Sequence, residues 1–139
     1  MTDCISLGRT DHDRLCMGRS PLATARLKGA SEGSALWGRV DCYGTPAGLR
    51  ISVTVNGLPH GSKTGFSIYR LCLEREDGYF LCAVIPPLYE RNGSAWCSVI
   101  TRKLELSDLM GGRLSIRRWN EARGRREGVS VAEGLLIYP

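Results

Sequence analysis

The feature that most restricts this chain is a period of two in its aliphatic residues, repeated in short runs and broken by turn formers. Between positions 49 and 56, Leu49, Ile51, Val53 and Val55 alternate with Arg50, Ser52, Thr54 and Asn56. Successive side chains of a strand point to opposite faces, so the pattern predicts an antiparallel strand with one face on a core and the other toward solvent. A helix would scatter those four aliphatic residues around its circumference.

The same alternation recurs along the chain. Ala23, Ala25 and Leu27 oppose Thr24, Arg26 and Lys28, and the run 36–43 alternates before the turn Gly44-Thr45-Pro46-Ala47-Gly48, which predicts a hairpin with 49–56. After the break at 57–62, Gly65 to Cys72 resumes an extended pattern. The charged turn Glu74-Arg75-Glu76-Asp77-Gly78 then leads into Tyr79 to Val84, and Asp-Gly between two such runs is a hairpin signal. Ala95 to Thr101, Leu114 to Arg117 and Val129 to Tyr138 read as further strands. Ser107 to Met110 reads as one capped helical turn stopped by Gly111-Gly112. About eight short strands at this spacing define an all-β, antiparallel sandwich or barrel.

A chain of 139 residues holds one hydrophobic core, so residues 21–139 are expected to form a single domain. Residues 1–20 are polar and aperiodic and read as an N-terminal arm, either holding a short helix or lying on a partner. No stretch approaches the roughly 18–20 apolar residues that span a bilayer, so no membrane association is expected. A basic leader followed by an apolar run is missing from the first residues, where Asp11, His12, Asp13 and Arg14 stand instead, and a cytoplasmic location is the expectation.

Cys4, Cys16, Cys42, Cys72, Cys82 and Cys97 are scattered, with no pair at CxxC spacing. They read as reduced, mostly buried thiols rather than a disulfide framework. The formal charge of +5 is concentrated between Arg113 and Arg126, where a solvated loop and an attraction for anionic partners are the competing readings. Trp37, Trp96 and Trp119 form no base-stacking pattern, so nucleic acid is not an expected partner.

The order of landmarks resembles a family. Gly57-Leu58-Pro59, Gly65-Phe66-x-Ile68-x, Pro86-Pro87-Leu88, Asn92-Gly93-x-Ala95-Trp96, Asp108-Leu109-Met110-Gly111 and Gly134 follow in the sequence found in bacterial copper/zinc superoxide dismutase-like proteins, over about residues 21–137. The resemblance implies a Greek-key β-sandwich. It also implies where metal ligands belong: a His-x-His pair matching Ser67 and Tyr69, and a last copper histidine matching Arg117. A hydroxyl, a phenol and a permanently protonated guanidinium are poor copper ligands. The loop that carries the family's bridging and zinc histidines is reduced to a short hairpin, in which Asp77 reads as a turn former. The family's active-site arginine maps near Ser130, and the disulfide partner of a cysteine near Cys72 maps to Glu133.

The resemblance therefore implies a non-enzymatic family member without cofactors, a metal-free scaffold for binding or assembly, with self-association as a dimer or a protein partner expected. The competing readings are an active dismutase or metal-binding protein with non-standard ligands, for which Cys72, Cys82 and His60 are the soft-metal candidates, and a binder of anionic polymer through Arg113 to Arg126.

Overall fold

The computed structural model describes residues 4–6, 20–30, 35–58, 67–78, 80–81, 85–120 and 129–138. They form nine strands and one helical turn: β1 (Cys4–Ser6), β2 (Ala23–Gly29), β3 (Trp37–Thr45), β4 (Gly48–Asn56), β5 (Ser67–Glu74), β6 (Phe80–Leu81), β7 (Ser94–Thr101), α1 (Leu106–Leu109), β8 (Arg113–Asn120) and β9 (Val129–Leu135). All strand pairs are antiparallel, in one sheet of order β1-β7-β4-β3-β2-β9-β8-β5-β6.

Two well-paired halves meet at a thin seam. On one side β3 and β4 form the expected hairpin, in register from Trp37↔Asn56 to Thr45↔Gly48, and β4 pairs with β7 from Leu49↔Thr101 to Asn56↔Ser94. On the other, β5 and β8 pair without interruption from Ser67↔Asn120 to Glu74↔Arg113. Between the halves, β2 and β9 share only the pairs Lys28↔Glu133 and Gly29↔Ala132, extended by the bridge Thr24↔Ile137. The sheet bends there. A single core results, in which Ile51, Val53 and Val99 of the first half join Leu71, Leu73, Leu114 and Ile116 of the second. Burying each large aliphatic side chain contributes roughly 1.5–3 kcal/mol relative to leaving it exposed.

Alternation holds where the pattern predicted it. Ala23, Ala25 and Leu27 are buried while Arg26 and Lys28 are exposed, and Val40 and Cys42 turn inward while Arg39 stays out. Strand β4 departs from the half-solvated expectation, because Arg50 and Ser52 on its outer face are also buried. Ser52 satisfies its hydroxyl by sharing a hydrogen bond of 3.0 Å with the equally buried Ser98, its cross-strand neighbour on β7. A cross-strand hydroxyl pair lets a polar face lose water without stranding a donor.

Two local expectations are revised. Cys4–Ser6, within the expected arm, is a strand on the edge of β7, a segment too short for any period to be read. The helical turn begins at Leu106 with Glu105, not Ser107, as its N-cap, because the Asp108 carboxylate reaches back to accept the Glu105 N–H at 2.7 Å. The charged turn needs no such revision: the Gly78 N–H closes onto the Arg75 carbonyl at 3.0 Å, with Gly78 at φ 89°. Asp77 thus occupies the turn expected of it.

The seam depends on Gly134. A Cβ at that position would stand 2.2 Å from the Arg26 carbonyl oxygen, a backbone atom that cannot move aside alone. Gly134→Ala is expected to destabilise the fold by about 1–3 kcal/mol, the usual cost of overpacking. Urea unfolding checks this, and a midpoint equal to that of the parent protein would mean that the seam is not closed as described.

Candidate functional site

The β5–β8 ladder carries the positions singled out by sequence, and its register decides their neighbours. Directly opposed residues of an antiparallel pair share a face. Leu73↔Leu114, Leu71↔Ile116 and Tyr69↔Arg118 therefore belong to the inner face, and Cys72↔Ser115 and Arg70↔Arg117 to the outer one. Tyr69 and Arg117 lie on opposite sides of the sheet. Ser67 opens β5 opposite Asn120.

Tyr69 is 3% exposed and belongs to the core. Its backbone forms a bridge with Leu88, donating to the Leu88 carbonyl at 3.4 Å and accepting its N–H at 2.8 Å, so the segment after Pro86-Pro87 is strapped onto the β5 edge. Burial pushes the phenol above its usual pKa. The charge of Arg118 and its hydrogen bond to the phenol work against that shift, and the nearby Glu90 carboxylate reinforces it. Tyr69 is therefore a neutral, hydrogen-bonded core phenol at pH 7.

Glu90 also borders an open hollow of about 470 Å³ lined by Tyr89, Glu90, Arg91, Ser94, Ala95 and Trp96. A two-residue turn frames it: Arg91 and Ser94 exchange backbone hydrogen bonds of 2.7 and 3.1 Å around Asn92 and Gly93, both at positive φ. Glu90 Oε1 accepts the Gly93 N–H at 2.8 Å, which fixes the carboxylate at the rim.

On the outer face, Cys72 and Ser115 are buried, whereas Arg70 and Arg117 are half-buried. Arg117 Nε donates to Ser115 Oγ at 3.3 Å. Of the neighbouring positions named by the family resemblance, Ser130 is opposite Arg117 on β9, and its hydroxyl donates to Glu133 at 3.0 Å. Glu133 also makes a 3.8 Å ion pair with Arg113.

His60 and Cys82 lie outside the described residues, as do Arg123, Arg125 and Arg126 of the basic segment. Among the described residues, no three His, Cys, Asp or Glu side chains gather where they could hold a metal ion. Also among them, no helix is long and apolar enough to cross a membrane. Cys42, Cys72 and Cys97 are thiols that form no disulfide. Three residues of the ladder region escape a reading from sequence: Arg118, Glu90 and Arg70. Arg118 and Arg117 are adjacent and identical in type, so only strand register tells which one meets Tyr69.

In comparisons with known proteins, no family model, no curated protein and no solved structure matches this chain.

Cys42 offers a test of the inner face. Burial, aided by the charge of Asp41, pushes its thiol from 9.0 up to about 12. The protonated form is thus favoured by folding, so its contribution is whole below pH 9 and is lost as pH rises toward 12. Alkylation at pH 8 is expected to leave Cys42 unmodified in the folded protein, while denaturation without reductant exposes all six thiols to reagent. Intact mass and peptide mapping read both outcomes, and a pair of cysteines still blocked after denaturation would contradict the reduced state.

Proposed function

We propose that this chain is a non-catalytic, superoxide dismutase-like Greek-key sandwich that serves as a scaffold for binding or assembly. The observation that carries this reading is the division of Tyr69 and Arg117 between the two faces of the β5–β8 ladder. Copper bound by histidines needs several imidazoles converging on one point. Arg117 does not share a face with Tyr69, and the side chains at the three matching positions are a hydroxyl, a buried phenol and a guanidinium. Dismutation requires a centre that cycles between two oxidation states, which no amino-acid side chain of this chain provides.

The strand order supports the architectural half of the reading. The meander β2-β3-β4 is followed by a crossing from β4 to β5 on the other half of the sheet, and the chain crosses back from β6 to β7. Such non-local returns are the hallmark of Greek-key connections in β-sandwiches, an architecture shared by superoxide dismutases and many unrelated domains.

Self-association belongs to the same proposal. Leu22, Leu135 and Ile137 are 49%, 59% and 58% exposed along the seam, flanked by the cationic Arg26 and the anionic Glu133. A two-fold related copy would meet an apolar strip and both charges with the same elements. Light scattering at micromolar concentration is expected to give a dimer mass, and Ile137→Glu to return it to monomer. A monomer mass for the parent protein at every concentration removes this part.

The metal content tests the rest. After dialysis against excess copper and zinc and then against buffer, elemental analysis is expected to find neither metal in stoichiometric amount, and superoxide to decay at the buffer rate. The triple variant Ser67→His, Tyr69→His, Arg117→His is expected to gain at most weak copper binding, since the new imidazoles at positions 69 and 117 would be separated by the sheet. About one tightly held copper per parent chain, with superoxide consumption above background, would overturn the reading.

A further inference from the structure

The hollow that follows the Tyr69–Leu88 bridge gathers side chains that the dismutase-like reading leaves without a task. Tyr89, Glu90 and Arg91 line it from the segment after Leu88, and Ser94, Ala95 and Trp96 line it from the start of β7. Its volume of about 470 Å³ lies within the range of sites that take small molecules. Tyr89 is 62% exposed and Trp96 half-buried, so two large rings, each with an apolar body and one polar tip, border the same recess.

The turn that joins the two sides of the recess holds the polar groups around the rings. Arg91 and Ser94 exchange backbone hydrogen bonds across it, and one oxygen of the Glu90 carboxylate accepts the Gly93 N–H at 2.8 Å. The Ser94 hydroxyl donates its proton to Asn56 Oδ1 at 2.8 Å and so meets any further group as an acceptor. The Glu90 carboxylate only accepts, and the Arg91 guanidinium only donates. One negative and one positive group on the same recess oppose a ligand of either net charge. An ammonium that suits the rings and Glu90 meets Arg91, and a phosphate that suits Arg91 meets Glu90. The chemistry that fits is neutral, with an apolar face for the rings and an edge of groups that both donate and accept.

We propose that the hollow bordered by Tyr89, Glu90, Arg91 and Trp96 is a binding site for a neutral saccharide. A sugar ring turns C–H groups to one face and carries hydroxyls around its edge, each of them donor and acceptor at once. Its C–H face lies against the aromatic rings, and its hydroxyls donate to Glu90 and Ser94 and accept from Arg91. The site stands apart from the dismutase-like reading, since copper content tests that reading and sugar titration tests this one.

The experiment is a titration of the full chain with cellobiose, maltose and N,N′-diacetylchitobiose, with glycerol at matched hydroxyl concentration as the control. It is followed by the tryptophan indole N–H signals in NMR spectra, the Trp96 signal being assigned by its loss in Trp96→Phe. The expected result is a saturable one-to-one shift of the Trp96 signal with at least one of the disaccharides, at an affinity that holds as sodium chloride is raised. Tyr89→Ala, which removes a ring, and Glu90→Gln, which keeps an oxygen for the Gly93 N–H but removes the charge, should each weaken that sugar by about tenfold, the scale of one charge-assisted hydrogen bond. Tyr138→Ala, which removes an equally exposed ring from outside the hollow, should leave the affinity within about twofold, inside ordinary surface-substitution effects. Should a variant fail to fold, the parent protein's Trp96 signal still decides. No saturable shift with any of the three disaccharides beyond the glycerol control, an affinity that collapses with salt, or an equal loss in Tyr138→Ala overturns the proposal.

Discussion

The seam between β2 and β9 is the contact on which the rest of the structure depends. Two ladder pairs, one bridge and the hydrogen bond from the Ala30 N–H to the Val131 carbonyl join halves that are otherwise richly paired within themselves. Without a side chain at Gly134 the β9 backbone lies against the Arg26 carbonyl, and the two halves fold over a common interior instead of continuing as a flat ribbon. A flat sheet of this order would leave Leu71, Leu114 and Ile116 without the partners Ile51, Val53 and Val99. Closing the angle converts two half-covered surfaces into one core, and the hydrophobic gain of that closure exceeds what the few hydrogen bonds at the seam contribute.

Once the halves are closed, the register of β5 on β8 settles which chemistry each face displays. A slip of one residue would exchange the faces, sending Leu71 and Leu73 outward. The aliphatic residues forbid that slip, and Tyr69 and Arg118 are carried inward with them as Arg70 and Arg117 are carried out. The polar residues did not choose their sides. They occupy the sides that Leu71, Leu73, Leu114 and Ile116 left to them.

This accounts for what could and could not be read from sequence. The strands β2, β3, β4, β7 and β8 announce themselves because small or aliphatic residues alternate with polar ones. The β3–β4 hairpin follows from Pro46-Ala47-Gly48 between two such runs. The same reasoning puts Ser67 and Tyr69 on a common face but cannot say which face, because tyrosine is at home in a core or at a surface. It assigns Arg50 and Ser52 to solvent, whereas both are buried: a period of two reports that two faces differ, not that the polar one is wet. The Glu105 cap is hidden because the capping bond comes from Asp108, three residues on. The order in which the chain crosses between the two halves is a long-range property with no local signature, and the positions matched to metal ligands could be named only by resemblance.

The two ends of the sheet have a bearing on how the protein behaves in a crowded solution. Among the described residues β1 offers three and β6 two, and each covers only the end of the strand beside it, Val99–Thr101 of β7 and Leu73–Glu74 of β5. The longer β5, whose edge would otherwise be available, is interrupted by the Tyr69–Leu88 bridge. Edge strands are templates for recruiting foreign strands, and brevity is one of the ways natural sheets blunt them. Among the described residues the short border strands and the Tyr69–Leu88 bridge thus break the two open edges of the sheet into brief stretches.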